Sequence, residues 1–420
     1  MFNKDSWIEI YNTLEGNKLR SFLTAFGVFW GIFILVLILG SSKGFRLGIM
    51  NNFEGFAVNS LFMWSENTSM DYMGFNKNRS WRLKNNDILV IKNTFKEIEV
   101  IAPRLNGWKA SQGENVVRGE LGGSFRVYGD YPGFFKVSPM DIKYGRALNG
   151  NDIKGNRKVC LIGERVYEEL FKKDENPFGK LLKISGIYFR VIGVVYPKTQ
   201  INLGGDPKIM IYIPFTTLQK TFSYGDIVHW FCIIAKENVS TEKLQEKIAL
   251  LLKRRHKINP EDKTAVGYFN MQEEFRKING TFSGIDVLAW FVGIGTLLAG
   301  IIGVSNIMYI TVKERTKEIG IKRALGATPF MIKRQILVET IILTVIAGFA
   351  GVFFSAILLE ISNLILKEAL KNSFIKFQPG IDINIALIAL VILITFGSLA
   401  GIFPANKATK AKPIDALRYE

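Results

Sequence analysis

Histidine and cysteine are nearly absent from this chain of 420 residues, which holds two of each: His229 and His256, Cys160 and Cys232. Neither type sits at the spacing of a zinc or other metal site, so metal-dependent chemistry has no visible ligand set. The glycine-rich phosphate cradle G-x-x-x-x-G-K-[ST] is missing, which excludes nucleotide binding by that route. A G-x-S-x-G elbow is missing as well, and no pair among the many Asp and Glu stands out as acid and base. Tandem repeats and low-complexity tracts do not occur in the long central segment. An enzyme therefore has little to stand on, whether as a membrane-tethered hydrolase or otherwise.

What the chain has is apolar length and positive charge. It is 48% hydrophobic, and Lys and Arg (54) outnumber Asp and Glu (37) for a net charge of +17. Mean hydropathy is +0.17 and the pI is about 9.6. That mixture is too apolar for an ordinary soluble domain and too polar for a protein lying wholly in lipid. A helix crossing the hydrocarbon needs about 20 largely apolar residues, because every backbone polar group must be satisfied within it. Four stretches qualify: Phe22 to Leu39, the run between Asp286 and Lys313, about Gln335 to Leu359, and the run between Asp382 and Lys407. The first lacks a small-residue cleavage site and reads as a retained anchor. Only the third carries a charge within it, Glu339, which could snorkel to the basic loop nearby or act as a relay.

Lys and Arg in the short connections set the orientation. Lys4, Lys18 and Arg20 precede the first stretch; Lys313, Arg315, Lys317, Lys322, Arg323, Lys333 and Arg334 crowd between the second and third; Lys407, Lys410, Lys412 and Arg418 follow the fourth. These segments fall on one side, so both termini and the basic loop are expected in the cytoplasm. Topology thus explains the basic residues, and nucleic acid is not needed as a partner. The expected organisation is a cytoplasmic amphipathic helix over 1–20, spans at 21–42, 285–312, 335–360 and 382–405, and an extracytoplasmic domain over 43–284. A cytoplasmic connection over 313–334, an outer loop over 361–381 and a cytoplasmic tail over 406–420 complete it.

Small residues recur every four positions in the spans: Gly27 and Gly31; Gly295, Ala299 and Gly303; Ala347, Gly351 and Ser355; Gly397 and Gly401. Such spacing lets helices approach closely in lipid, either within one bundle or at a dimer seam. The central segment alternates short apolar runs with turns and predicts an α+β domain. Strands are expected over 158–162, 181–184, 188–195 and 209–213, helices over 164–171 and 241–256, and a loop over 200–207. Cys160 and Cys232 both fall there, and could pair in an oxidising compartment or stay buried as thiols.

The segment from Lys313 to Gln335 is the most informative. Helical pattern continues from the second span to Leu325, Gly326 fits a residue just past a helix end, Thr328 an N-cap, and Pro329 a first-turn position. Arg315, Glu318 and Lys322 share a face, with Glu318 and Lys322 in the favourable order. The result is a charged knuckle, which a detachable motor could grip or which could simply be a solvated loop.

Glu314 to Ala327 (ERTKEIGIKRALGA) closely resembles the coupling segment of MacB/FtsX-like ABC permeases. The stretch from Pro404 to Arg418 (PANKATKAKPIDALR) is similar to that family's ending. Tyr144 to Asp152, Lys158 to Glu164, Leu170 to Lys180 and Phe189 to Val195 resemble its MacB-type periplasmic core domain. The resemblance implies a homodimer, or a heterodimer with a related permease, served by a separate ABC ATPase that binds the ATP and magnesium, while this chain binds no cofactor and catalyses nothing. It implies a multi-pass protein of the inner membrane whose outer domain moves as ATP is spent. A periplasmic adaptor and an outer-membrane channel are further partners the resemblance implies, besides membrane lipid. The macrolide-exporter branch commonly carries an N-terminal ATPase, whereas the first span here starts near residue 21. Carried over as ATPase contacts are Glu314, Arg315, Glu318, Ile319, Gly320, Arg323, Ala324, Gly326 and Ala327. The expected task is efflux of peptides, toxins or drug-like molecules. Lipoprotein release or control of cell-wall hydrolases is the alternative, and a membrane-anchored receptor or scaffold is the reading from another class.

Overall fold

The computed structural model describes residues 18–53, 55–198, 204–369, 380 and 383–409. The chain divides into two compact units, Asn52–Asn279 and the flanking Met1–Asn51 with Gly280–Glu420. The opening amphipathic segment, up to residue 17, and the tail beyond Thr409 lie outside the described residues, as do 200–203 of the expected loop and 370–379 of the expected outer loop.

Helix α1 spans Lys18–Asn51 and leads into the central unit. There the chain runs β1 (Ser60–Ser65), β2 (Leu83–Lys84), α2 (Asn85–Thr94), β3 (Ile98–Asn106), β4 (Val116–Arg118), β5 (Leu121–Gly123), β6 (Arg126–Asp130), α3 (Phe134–Val137), β7 (Met140–Gly145) and α4 (Gly150–Lys154). It continues through β8 (Val159–Gly163), α5 (Glu164–Leu170), β9 (Leu181–Ile184), β10 (Ile187–Pro197), β11 (Met210–Pro214), α6 (Phe215–Thr221), β12 (Ile227–Val228), β13 (Trp230–Ala235), α7 (Thr241–Arg255) and β14 (Val266–Asn270). Twelve strands form one mixed sheet in the order β14-β1-β13-β3-β6-β11-β8-β10-β9-β4-β5, with β7 also on β10, while β2 and β12 pair separately.

Side chains alternate across a strand, and here each face meets its own core. Ile211 and Ile213 of β11 join Phe231 and Ile233 of β13 on one face, whereas Met210 and Tyr212 join Cys232 and Ile234 on the other. Burial on both faces is why these strands read as unbroken apolar runs. The α7 helix covers the first face with Leu244, Ile248 and Leu252 at the expected spacing.

The cysteine alternatives are settled by the same geometry. Both thiols are free and buried. Cys160 lies on one face in β8 and Cys232 on the other in β13, with β3, β6 and β11 between the two strands. Strands about 4.8 Å apart put them roughly 19 Å from each other, and a disulfide needs Cα atoms within about 7 Å. The disulfide is therefore ruled out, and burial pushes both thiols up out of the reactive range.

The other unit is helical. To α1 it adds α8 (Met271–Glu314), α9 (Thr316–Ala324), α10 (Pro329–Ala369) and α11 (Ile383–Ala408). Among the described residues, four helices are long and apolar enough to cross a membrane. Three of them outrun the spans expected for them, α1 to Asn51, α8 back to Met271 and α10 to Ala369, because the helix continues past the apolar stretch. Close approaches are made at glycine. A Cβ on Gly27 would come within 3.2 Å of Gly300, one on Gly31 within 3.1 Å of the Leu297 backbone, and one on Gly351 within 2.8 Å of the Phe29 carbonyl. Gly397 and Gly401 of α11 rest similarly on Thr344 and Thr340 of α10. Gly295 and Gly303 face open space and Ala299 is exposed, so that stripe takes no part in packing among the described residues; α8 uses Gly293, Leu297 and Gly300 instead.

Candidate functional site

The knuckle between α8 and α10 is built by two breaks in an otherwise continuous helical run. Helical pattern was expected to persist to Leu325, but α8 stops at Glu314 and α9 starts at Thr316. Arg315, with φ −90° and ψ 12°, is the joint. The hydrogen-bond ladder survives across it, from Arg315 N–H to the Thr311 carbonyl at 3.0 Å and from Ile319 N–H to the Arg315 carbonyl at 3.0 Å. The Thr316 hydroxyl donates to the carbonyls of Val312 and Lys313.

The second break has the form expected. Gly326 takes φ +101°, which a residue with a Cβ resists. Its N–H donates to the Arg323 carbonyl and that of Ala327 to the Lys322 carbonyl, the paired bonds of a Schellman end. Thr328 then caps α10, its hydroxyl accepting from Met331 N–H at 3.3 Å, with Pro329 in the first turn.

Arg315 is held from two sides. Its Nε lies 3.4 Å from Glu318 and its Nη1 lies 3.5 Å from Glu339 of α10. The Glu318 side chain is 64% exposed and that of Glu339 only 6%, so one guanidinium bridges a wet and a dry carboxylate. Apolar Met308, Val312, Ile319 and Ile336 line the gap around this bridge, whose free space of about 30 Å³ admits little more than one water. It is a seat for side chains and too small for a ligand. A further tie runs from Arg323 Nη1 to the Thr409 carbonyl at 2.9 Å, joining α9 to the end of α11.

The residues carried over as contacts therefore separate. Glu314, Glu318, Ala324 and Gly326 are exposed; Arg315, Arg323 and Ala327 are half-buried; Ile319 and Gly320 are buried and hold α9 in place. Sequence reasoning missed the exposed apolar side chains of the knuckle, because it followed charge. Leu325 is 83% exposed, Phe330 72% and Met331 58%, with Ile321 nearby on α9. The signal was present, as apolar residues flanking a helix-ending glycine where no helical face can bury them.

Among the described residues, no group of three or more His, Cys, Asp or Glu is arranged to hold a metal ion. His256 is 2.8 Å from Asp87 and tilts over Trp81, and the Nδ1 of His229 accepts from Asn106 N–H. Asp87 is pushed up by burial but held below its usual range by hydrogen bonds from His256, Arg255 and Lys84 N–H. Among the described residues, the knuckle presents exposed apolar and charged side chains and no group arranged to hold a metal ion.

Comparison with known proteins finds matches in both units. Residues 21–251 match the model of the MacB-like periplasmic core domain, and residues 290–413 match that of the FtsX-like permease C-terminal region. The macrolide export ATP-binding/permease protein MacB of Bdellovibrio bacteriovorus is 27% identical over 416 residues, covering 98% of this chain and 61% of that protein. The protein of the same name from Neisseria meningitidis serogroup A is 28% identical over 424 residues, covering 100% and 62%. The chain spans about three fifths of the length of these relatives. A solved structure, the periplasmic region of MacB from Actinobacillus actinomycetemcomitans, aligns at a TM-score of 0.43 with 21% identity, over 55% of this chain and 97% of that one.

Proposed function

This chain belongs to the MacB/FtsX-like family of ABC transporter permeases, and from that premise we propose that α9 and the turn after it are the seat of an ABC ATPase carried on a separate chain. The ATPase binds the ATP and magnesium, and its motion reaches the outer domain through α8, which runs unbroken from Met271 to the knuckle. The observation that carries this reading is the exposed cluster of Ile321, Leu325, Phe330 and Met331 on a short helix pinned through Arg315 and Arg323. Apolar residues left uncovered at a helix tip among Lys and Arg suit an interface with an apolar centre and polar rim. Crowding of Lys and Arg in the same connection supports a cytoplasmic knuckle and cytoplasmic termini, with 52–279 outside.

Two permease chains complete the unit, and the work done is efflux of peptide, toxin or drug-like molecules, in keeping with the macrolide export named for the relatives. The test is affinity purification of the tagged chain from native membranes in mild detergent, with mass spectrometry of stoichiometric partners. An ABC ATPase should be retained by the native chain and lost from Leu325→Asp with Phe330→Asp. Retention of the ATPase by that double variant would overturn the assigned seat, and absence of any ATPase would favour an anchored receptor. A periplasmic adaptor among the partners supports efflux, and acylated lipoproteins would replace it with lipoprotein release.

A further inference from the structure

A cleft of about 620 Å³ opens in the central unit where β1 ends and β13 begins, and nothing in the ATPase coupling uses it. Trp64, Trp81, Trp108, Trp230 and Tyr224 supply its walls, brought together from segments far apart in the chain. We propose that this cleft is a binding site for a neutral oligosaccharide.

The lining is poor in aliphatic side chains. Ile227 and Val228 are the only aliphatic residues of the lining, and Leu, Met and Phe do not contribute. Pockets of this volume that take greasy molecules are lined mostly by such groups. Here the remaining positions are polar, among them Ser65, Asn67, Ser80 and Ser223. A ligand that satisfies this wall must present flat apolar faces bordered by hydroxyls. A pyranose ring does so, with its axial C–H faces on the indoles and its hydroxyls at the rim.

Donors and acceptors are available where such hydroxyls would lie. Glu66 accepts from the Trp64 indole N–H at 2.8 Å through one oxygen, leaving the other. The indole N–H groups of Trp108 and Trp230 have no acceptor among the described residues. His229 accepts from Asn106 N–H at Nδ1, so its proton sits on Nε2 as a donor. Burial, and then the positive charge of Arg82, lower the affinity of that imidazole for a second proton, which keeps it neutral. Arg82 and Lys109 against Glu66 also make the cleft unwelcoming to cations.

The walls are fixed before any ligand arrives. Gly267 lies beneath Trp64 so closely that a Cβ would come within 2.2 Å of its indole nitrogen. The Trp81 N–H donates to the Ala265 carbonyl at 2.9 Å. Lys109 Nζ donates to the Ser223 carbonyl at 3.0 Å, and its backbone N–H to the Tyr224 hydroxyl at 2.7 Å. Asp262 holds the loop after β1 through Ser69 N–H at 2.7 Å and the Ser69 hydroxyl at 2.8 Å. Preorganised walls reduce the ordering cost of binding.

This site stands apart from the ATPase assignment, since a chain that recruits no ATPase would still bind sugar here. The full chain, purified in a detergent without a sugar headgroup, is titrated with cellotriose, maltotriose and the N-acetylglucosamine trimer, following tryptophan fluorescence and heat. At least one should give a saturable signal, and Trp108→Ala should weaken it about tenfold. Trp108 is 55% exposed, so its loss does not threaten folding; Trp108→Phe, which keeps a ring face, should retain most of the affinity. The proposal is overturned if none of the three saturates at its solubility limit, or if Trp108→Ala binds as well as the native chain. A response to tetraphenylphosphonium or to a Phe-rich peptide with none to sugar overturns it equally.

Discussion

Each unit of the chain sets an arginine against a buried carboxylate, and the two pairs differ in how far the arginine itself is sealed. In the sheet, Arg104 and Asp130 are 2.9 Å apart with side chains 1% and 0% exposed. The guanidinium is boxed by aromatic rings, 4.0 Å from the centre of Tyr128 and 4.2 Å from that of Phe134. Arg315 at the helical knuckle is 24% exposed and divides itself between Glu339 and Glu318. A sealed pair is held by the rings that close around its cation. The half-buried cation instead lies between a wet and a dry carboxylate. The first suits a rigid core and the second suits a joint that a partner can move.

The sharpest way to break this contrast is to remove one member of the sealed pair. Asp130→Ala leaves a buried guanidinium without its counter-ion and should cost about 3–5 kcal/mol, read as a large fall in melting temperature of the full chain in detergent. Arg104→Met should cost less, because a carboxyl can discard its charge by taking a proton. Burial already pushes Asp130 up to about 6 against the pull of Arg104. A group raised in the folded state stabilises most below its unfolded value near 4 and loses that contribution as pH rises through 6. Without Arg104 the window moves higher, so Arg104→Met should be less destabilised at pH 5 than at pH 8. Equal penalties at the two pH values would mean that Asp130 is not sealed.

Asp262 refines the comparison, being fully buried like Asp130 but without a guanidinium. Burial raises its pKa, and hydrogen bonds from Ser69 and Thr264 more than reverse that, bringing it to about 2. The sign is therefore opposite: its contribution is complete above about 4 and disappears as pH falls through 2. On the order of 2 kcal/mol is at stake. Asp262→Asn should flatten the acid limb of the stability curve while leaving the slope between pH 4 and 6, which belongs to Asp130. Loss of both slopes together would show that the two carboxyls titrate as one.

Much of the central unit was legible because its strands obey simple rules. The run from Leu181 to Ile184 was placed at both ends, and the helix at Thr241 came within a residue of its observed end, since Ser240 caps it and its apolar spacing is regular. Both turns around Gly326 and Thr328 were visible for the same reason, each needing a particular residue type. What sequence could not show depends on partners distant in the chain. Helix propensity runs evenly through Lys313 to Lys317, and the break at Arg315 coincides with a tie to Glu339 on another helix. The cleft tryptophans are likewise spread from Trp64 to Trp230, and no spacing rule joins them. Four-residue glycine stripes look alike whether a helix packs on them or not.

That last ambiguity supplies the smallest expected effect and the best control on the helical unit. Gly27→Leu places a side chain where a Cβ already meets Gly300 at 3.2 Å, and overpacking of this kind should cost about 1–3 kcal/mol. Gly295→Leu adds the same atoms where nothing lies within 4 Å, and the melting temperature should move by no more than about 0.5 kcal/mol would allow. Both glycines sit in four-residue stripes on membrane-length helices, so propensity and lipid exposure cannot distinguish them in advance. Only contact with a second helix does. If Gly295→Leu proves as costly as Gly27→Leu in melting of the purified chain, the stripe of Gly295, Ala299 and Gly303 is covered in the assembled protein by something other than the described residues, and a second copy or a related permease is the partner to test by cross-linking.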